Sequence, residues 1–270
     1  IVLGREQPNQ ALPPLVKARE RLQNDPSVDE KTWGLVNFYL GIAYQHSDPP
    51  DLDGAIAAYG EAIRVWPTMV SSRLNRVAAY EDRKRAGDLE LALADASALI
   101  EIAPDWAPAY NNRASILINI GGAENLEQAL ADLERALALK PDFPEAYLNQ
   151  AFIQIRQGQS MATAAPLFEE ALALRPGYGT ALNALCWGYG LARQPEVALP
   201  YCQQASEAEP EPLHYDSRGL AQALLGNYPA AIADFERYIA WLEAQPGDTW
   251  QIELARRREW VAAVLVGKDP

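Results

Sequence analysis

Five alanines in this chain each stand twelve residues ahead of a proline: Ala55 and Pro67, Ala92 and Pro104, Ala129 and Pro141, Ala164 and Pro176, Ala198 and Pro210. The prolines recur every 34 to 37 residues, a period that belongs to arrays of helical hairpins stacked on one another. The stretch from 107 to 141, APAYNNRASILINIGGAENLEQALADLERALALKP, shows the unit. One helix is expected from Pro108 to about Ile120, a turn at Gly121-Gly122, and a second helix from Leu126 to Lys140, stopped by Pro141. Neither helix can bury its apolar face alone, so each pair needs a neighbouring pair.

The same register runs along most of the 270 residues. Residues 1–33 read as an N-terminal segment, loose over 1–10, with a partial-repeat capping helix over Leu12–Leu22. Residues 34–244 read as six repeats. The first has helix A near Leu35–Gln45 and helix B from Asp53 to Val65; the sixth lacks a closing proline, so its second helix is expected to run on through Trp241. Residues 245–270 read as a C-terminal capping helix after Pro246-Gly247, N-capped by Asp248, with Trp250, Leu254, Val261 and Leu265 on one side. The chain begins at Ile1 without a signal-peptide pattern and reads as a processed or excised segment.

A net charge of −13 argues against nucleic acid, which needs a concentrated positive surface. The dense basic runs are Arg83-Lys84-Arg85, read as cations near a helix C-terminus, and Arg256-Arg257-Arg258. No apolar run is long enough to predict membrane insertion.

In an antiparallel hairpin, residues equally far from the turn face one another. That puts Arg76 level with Asp95, Arg113 with Asp132 and Arg218 with Asp234. The other three units have Leu40 and Ala58, Gln150 and Leu167, Leu185 and Tyr201 at those places. Arginine and aspartate occur together or not at all, so we read them as structural ion pairs within each hairpin, where a lone charge is costly. The alternative is a row of arginines gripping an acidic ligand. The same reflection sets Cys186 opposite Cys202, the chain's two cysteines. They read as a structural disulfide closing about 16 residues and worth roughly 3 kcal/mol, with two buried thiols as the alternative. A disulfide favours an extracytoplasmic location and free thiols a cytoplasmic one.

Leu40-Gly41 with Tyr44, Arg113-Ala114 with Leu117, and Arg218-Gly219 with Gly226 and Tyr228 resemble the tetratricopeptide (TPR) repeat. That repeat carries a small residue and an aromatic in helix A, and alanines and a closing proline in helix B. The resemblance implies an all-α, right-handed TPR superhelix of about six hairpins with capping helices at both ends. The segment LNALCWGYG through RRREWVAAVLVGKDP further resembles a C-terminal module of bacterial multidomain TPR proteins, which implies that any catalysis sits in another part of a larger chain.

In TPR proteins the first helices line a concave groove. Carried onto this chain, the groove holds Phe38, Ile42, Leu74 and Asn111, then Leu148, Phe152, Asn183 and Trp187. Beside it runs a series at equal spacing, Asn75, Asn112 and Asn149. Asparagine amides can donate to and accept from the backbone of an extended peptide, or bond neighbouring helices. The lysines that clamp a C-terminal carboxylate in some TPR domains are absent, since Phe38, Leu74, Asn111, Leu148 and Asn183 stand at those places. The groove therefore predicts an apolar peptide or amphipathic helix as partner, with self-association through the groove as a further expectation.

No HExxH, GxSxG, Walker-type loop or Cys–His pair occurs. His46 and His214 read as surface residues, and no metal or cofactor is predicted. The reading is a non-catalytic protein-interaction scaffold. The alternatives are the repeat region of a larger signalling or protease-like enzyme, or a solenoid binding a small molecule or carbohydrate near Trp187.

Overall fold

The structure, a computed structural model, describes residues 8–23, 25, 27–245 and 250–270. Among them are fourteen α-helices and no strand: α1 (Pro8–Leu22), α2 (Glu30–Gln45), α3 (Leu52–Val65), α4 (Val70–Arg83), α5 (Asp88–Ile102), α6 (Ala107–Ile120), α7 (Ala123–Leu139), α8 (Pro144–Arg156), α9 (Met161–Leu174), α10 (Gly179–Leu191), α11 (Pro195–Ala208), α12 (Pro212–Leu224), α13 (Tyr228–Ala244) and α14 (Gln251–Leu265). Two compact units divide the chain at Pro141. In the first, α1 packs on α2, and the pairs α2–α3, α4–α5 and α6–α7 follow. In the second come α8–α9, α10–α11 and α12–α13, with α14 against α13.

Each repeat proline acts through the residue before it. Trp66, Ala103, Lys140, Arg175 and Glu209 cap α3, α5, α7, α9 and α11 with φ between −131° and −142°. The proline ring bars its predecessor from helical torsions, so all five helices end two residues short of the proline. The third of these helices starts earlier than the sequence predicts, at Ala123, because Gly121 and Gly122 complete the turn at φ 76° and 87°. Helix α2 also starts early, since the Asp29 carboxylate accepts from the Thr32 amide at 2.8 Å and caps it. Residues 8–10, expected to be loose, form the first turn of α1, where Asn9 accepts from the Asp48 amide at 3.1 Å. Residues 1–7 and the expected Asp248 cap lie outside the described residues. Helix α13, lacking a closing proline, continues past Trp241 to Ala244.

Between the two helices of a hairpin, small residues meet large ones. Ala55, Ala92, Ala129, Ala164 and Ala198 are fully buried. Gly41 lies under the Tyr59 ring so closely that a Cβ there would come within 2.5 Å of it, and Gly219 lies under Phe235 at 2.7 Å. In α10–α11 this layer holds the Cys186–Cys202 disulfide, with Cα atoms 4.9 Å apart and both residues out of contact with solvent. One residue away runs the charged layer. Asp95, Asp132 and Asp234 are each about 95% buried. Arg76 holds Asp95 through two bonds of 2.7 Å, Arg113 holds Asp132 at 2.7 and 2.6 Å, and Arg218 holds Asp234 at 2.7 Å twice. The Asp132 carboxylate accepting from its guanidinium raises the Arg113 pKa above its ordinary value, and Asp234 does the same for Arg218. With each charge committed to its facing partner, these arginines are poorly placed to take an acidic ligand.

Candidate functional site

The first unit has a cavity of about 190 Å³ between α4 and α6, lined by Leu74, Val77, Ala78, Glu81, Asn112 and Ser115. Leu74 and Asn112 meet there because Asn112 stands 37 residues after Asn75, the neighbour of Leu74, so the two fall at nearly the same height on successive first helices. Burial pushes the Glu81 carboxyl above its usual range, and Asp82 beside it adds to the effect. Of the other residues assigned to the groove in this unit, Phe38 packs on Tyr39 and Tyr59 at ring distances of 5.2 and 6.2 Å. Ile42 and Asn111 are buried, and Asn75 is half-buried. Arg83 and Arg85, of the first basic run, are bonded to carboxylates: Arg83 to Asp88 and Asp53, Arg85 to Asp53.

The second unit has a larger cavity, about 340 Å³, at the mouth of α8, α10 and α12. Phe152, Asn183 and Trp187 line it together. Leu148 is buried in the core that α8 shares with α9, and Asn149 is half-buried. Leu213 of α12, about half exposed, closes one side, and Tyr238 of α13 another. Burial, reinforced by the nearby Asp216 and Glu253, raises the Tyr238 phenol to about 12, so it stays protonated and neutral.

The floor comes from α14. Arg257 sits in the middle of its basic run yet is about 97% buried. Its Nε and Nη2 donate to the two oxygens of Asp216 at 2.6 and 2.7 Å, and Nη2 lies 2.6 Å from Glu253. The guanidinium lies 4.1 Å over the Trp260 ring and 5.6 Å from the Trp187 ring, while the two indoles stack 6.3 Å apart. Burial pushes Asp216 above the usual carboxylate range, with the Arg257 bonds working against that. Two buried polar atoms in the lining have no hydrogen-bond partner: Arg257 Nη1 and Asn183 Oδ1.

Sequence reasoning missed Arg257, Asp216 and Glu253. The signal was a spacing: residues 254, 257, 261 and 264 recur at helical intervals, and Leu254, Arg257 and Val264 are the buried residues of α14. Trp250 and Leu265, expected on the inner side, are exposed at 38% and 67%. His214 was also misread. It is buried, with Nδ1 3.1 Å from the Ala205 carbonyl and against that of Glu209, and it ties α12 to the end of α11. His46, at the end of α2, is exposed. No group of acidic, histidine and cysteine side chains fit for a metal ion occurs among the described residues.

Stacked two-helix repeats with an alanine–proline register, small-on-large packing within each hairpin and cavities beside the first helices define a class of helical-repeat proteins. Two family profiles match by sequence, "TPR repeat" over residues 123–158 and "Tetratricopeptide repeat" over residues 191–249. The chain thus carries tetratricopeptide repeats over those residues, and its all-α fold is that of solved tetratricopeptide-repeat proteins. No curated protein matches it by sequence. Among solved structures it is similar to a tetratricopeptide repeat protein from Parabacteroides merdae ATCC 43184, at 19% identity and a TM-score of 0.71 over 90% of each chain. It is similar to PilW, a widely conserved type IV pilus biogenesis factor, at 21% identity and a TM-score of 0.63, covering 83% of this chain and 97% of PilW. The APC/C hetero-tetramer Cut9–Hcn1 matches at 15% identity and a TM-score of 0.69, over 94% of this chain and 47% of that one.

Proposed function

We propose that this chain is a non-catalytic scaffold that binds a largely apolar peptide segment, extended or helical, along the first helices of its repeats. One observation carries the reading: Phe152, Asn183 and Trp187 from two successive first helices line a single cavity with apolar walls and buried polar groups. Such cavities are the usual form of a binding site. Asn112 and Leu74 repeat the arrangement on a smaller scale in the first unit. The likeness to a chain of Cut9–Hcn1, a hetero-tetramer, supports the same general role. The Cys186–Cys202 disulfide favours an oxidising compartment as the place where the chain folds. No helix among the described residues is long and apolar enough to cross a membrane, so the reading needs no insertion.

A peptide array probed with the chain and with Asn112→Ala and Phe152→Ala variants tests the proposal. Each variant should lose at least fivefold in signal on the peptides the parent binds, with melting temperatures kept within a few degrees. Unchanged binding in both variants overturns it.

A further inference from the structure

The 340 Å³ cavity carries more than a general apolar lining. Its charged equipment is one cation, Arg257, and two carboxylates, Asp216 and Glu253, already bonded to it. The guanidinium is planar and has spent one edge on Asp216, with Glu253 on the same Nη2. What is left over is the opposite nitrogen, Nη1, a donor without an acceptor. Asn183, in the same lining, has in its Oδ1 an acceptor without a donor. Leaving either group buried and unpaired carries a desolvation cost that a ligand with matching groups would relieve.

We infer that this cavity recognises an uncharged amide, the peptide unit or carboxamide of a bound segment, whose carbonyl accepts from Arg257 Nη1 and whose N–H donates to Asn183 Oδ1 while an apolar side chain lies among Phe152, Trp187 and Leu213. Charge excludes the other obvious ligand. The three ionised groups sum to −1, and a carboxylate ligand would add a second net negative charge in a site where water screens poorly. The bonds from Asp216 and Glu253 also neutralise the guanidinium as an attractor of anions. An amide needs no net charge and supplies acceptor and donor side by side. The cavity volume, near the lower end of the roughly 300–1,000 Å³ of small-ligand sites, suits one or two residues and not a whole helix. The inference rests on the peptide-binding reading and names what that site selects.

The test compares N-acetylphenylalaninamide with N-acetylphenylalanine, neutral and anionic at pH 7, in a nuclear magnetic resonance titration that follows the Asn183 side-chain amide and the Arg257 Nε–H. The amide should shift both signals saturably, and the acid should bind at least tenfold more weakly. Replacing Arg257 strands Asp216 and risks the fold, so the variant is Asn183→Ala. It should keep the parent melting temperature and lose roughly tenfold in affinity for the amide, one hydrogen bond's worth. Equal or tighter binding of the acid, or no saturable shift with either compound, overturns the inference. Array peptides that bind the parent and the Asn183→Ala and Trp187→Ala variants equally also overturn it, while leaving the scaffold reading intact. Amide binding here without any array peptide would leave the cavity's selectivity standing and remove the scaffold reading.

Discussion

At the scale of single residues, the arginine–aspartate layer buries charge safely by giving every carboxylate a cation directly opposite. Asp132 is 5% exposed and both its oxygens face Arg113. Asp132→Ala leaves the guanidinium, itself about one-fifth exposed, without its acceptor. Removing one partner of a fully buried pair costs about 3–5 kcal/mol; access to water on the arginine side brings the expected loss here nearer about 2 kcal/mol. The double variant Arg113→Leu/Asp132→Leu should recover most of it in urea unfolding, since two apolar side chains can fill the same space. A double variant as weak as the single one would show that packing, and not charge, holds the layer. The pairing can be read in advance because it obeys a reflection about a turn of known length. Arg257 obeys no such rule: its partner Asp216 is 41 residues away on another hairpin, and no local period connects them.

At the scale of the hairpin, one layer is built three ways: Gly41 under Tyr59, Gly219 under Phe235, and sulfur on sulfur at Cys186–Cys202. The covalent version restrains the unfolded chain over a 16-residue separation, worth about 3 kcal/mol. The Cys186→Ala/Cys202→Ala chain is therefore expected to melt lower by roughly that stability while keeping its helical circular dichroism. An unchanged melting curve would mean that the bond adds nothing to stability. Hairpin boundaries were legible because proline acts on the residue before it, a local rule. The starts were less so: Asp29 moved α2 five residues upstream of the expected Leu35 through one side-chain cap. The groove residues share a spacing, but spacing alone does not say which of them reach open space. Ile42, Asn111 and Leu148 are only 5%, 8% and 6% exposed, whereas Phe152, Asn183 and Trp187 border a cavity because α12, α13 and α14 wall it in.

At the scale of the molecule, stability in a repeat array is a sum of neighbour contacts, and an end helix has one neighbour fewer. Helix α14 departs from that simple picture, because it adds a charge that the helices before it require. Deleting residues 251–270 uncovers Phe235 and Tyr238 and takes from Asp216 its cation. The expected result is loss of cooperative melting through α12 and α13, whose neighbour contacts are gone. Fraying confined to the new end, with the remaining transition unchanged, would contradict it. The disulfide has a different reach. Its two sulfur atoms are closed off on every side, and thiol exchange needs an attacking thiolate to touch one of them. An oxidant must therefore act while the hairpin is still opening and closing, and a reductant met later finds nothing to attack. The bond is a record of the surroundings in which the polypeptide first folded, carried unchanged wherever the finished protein goes.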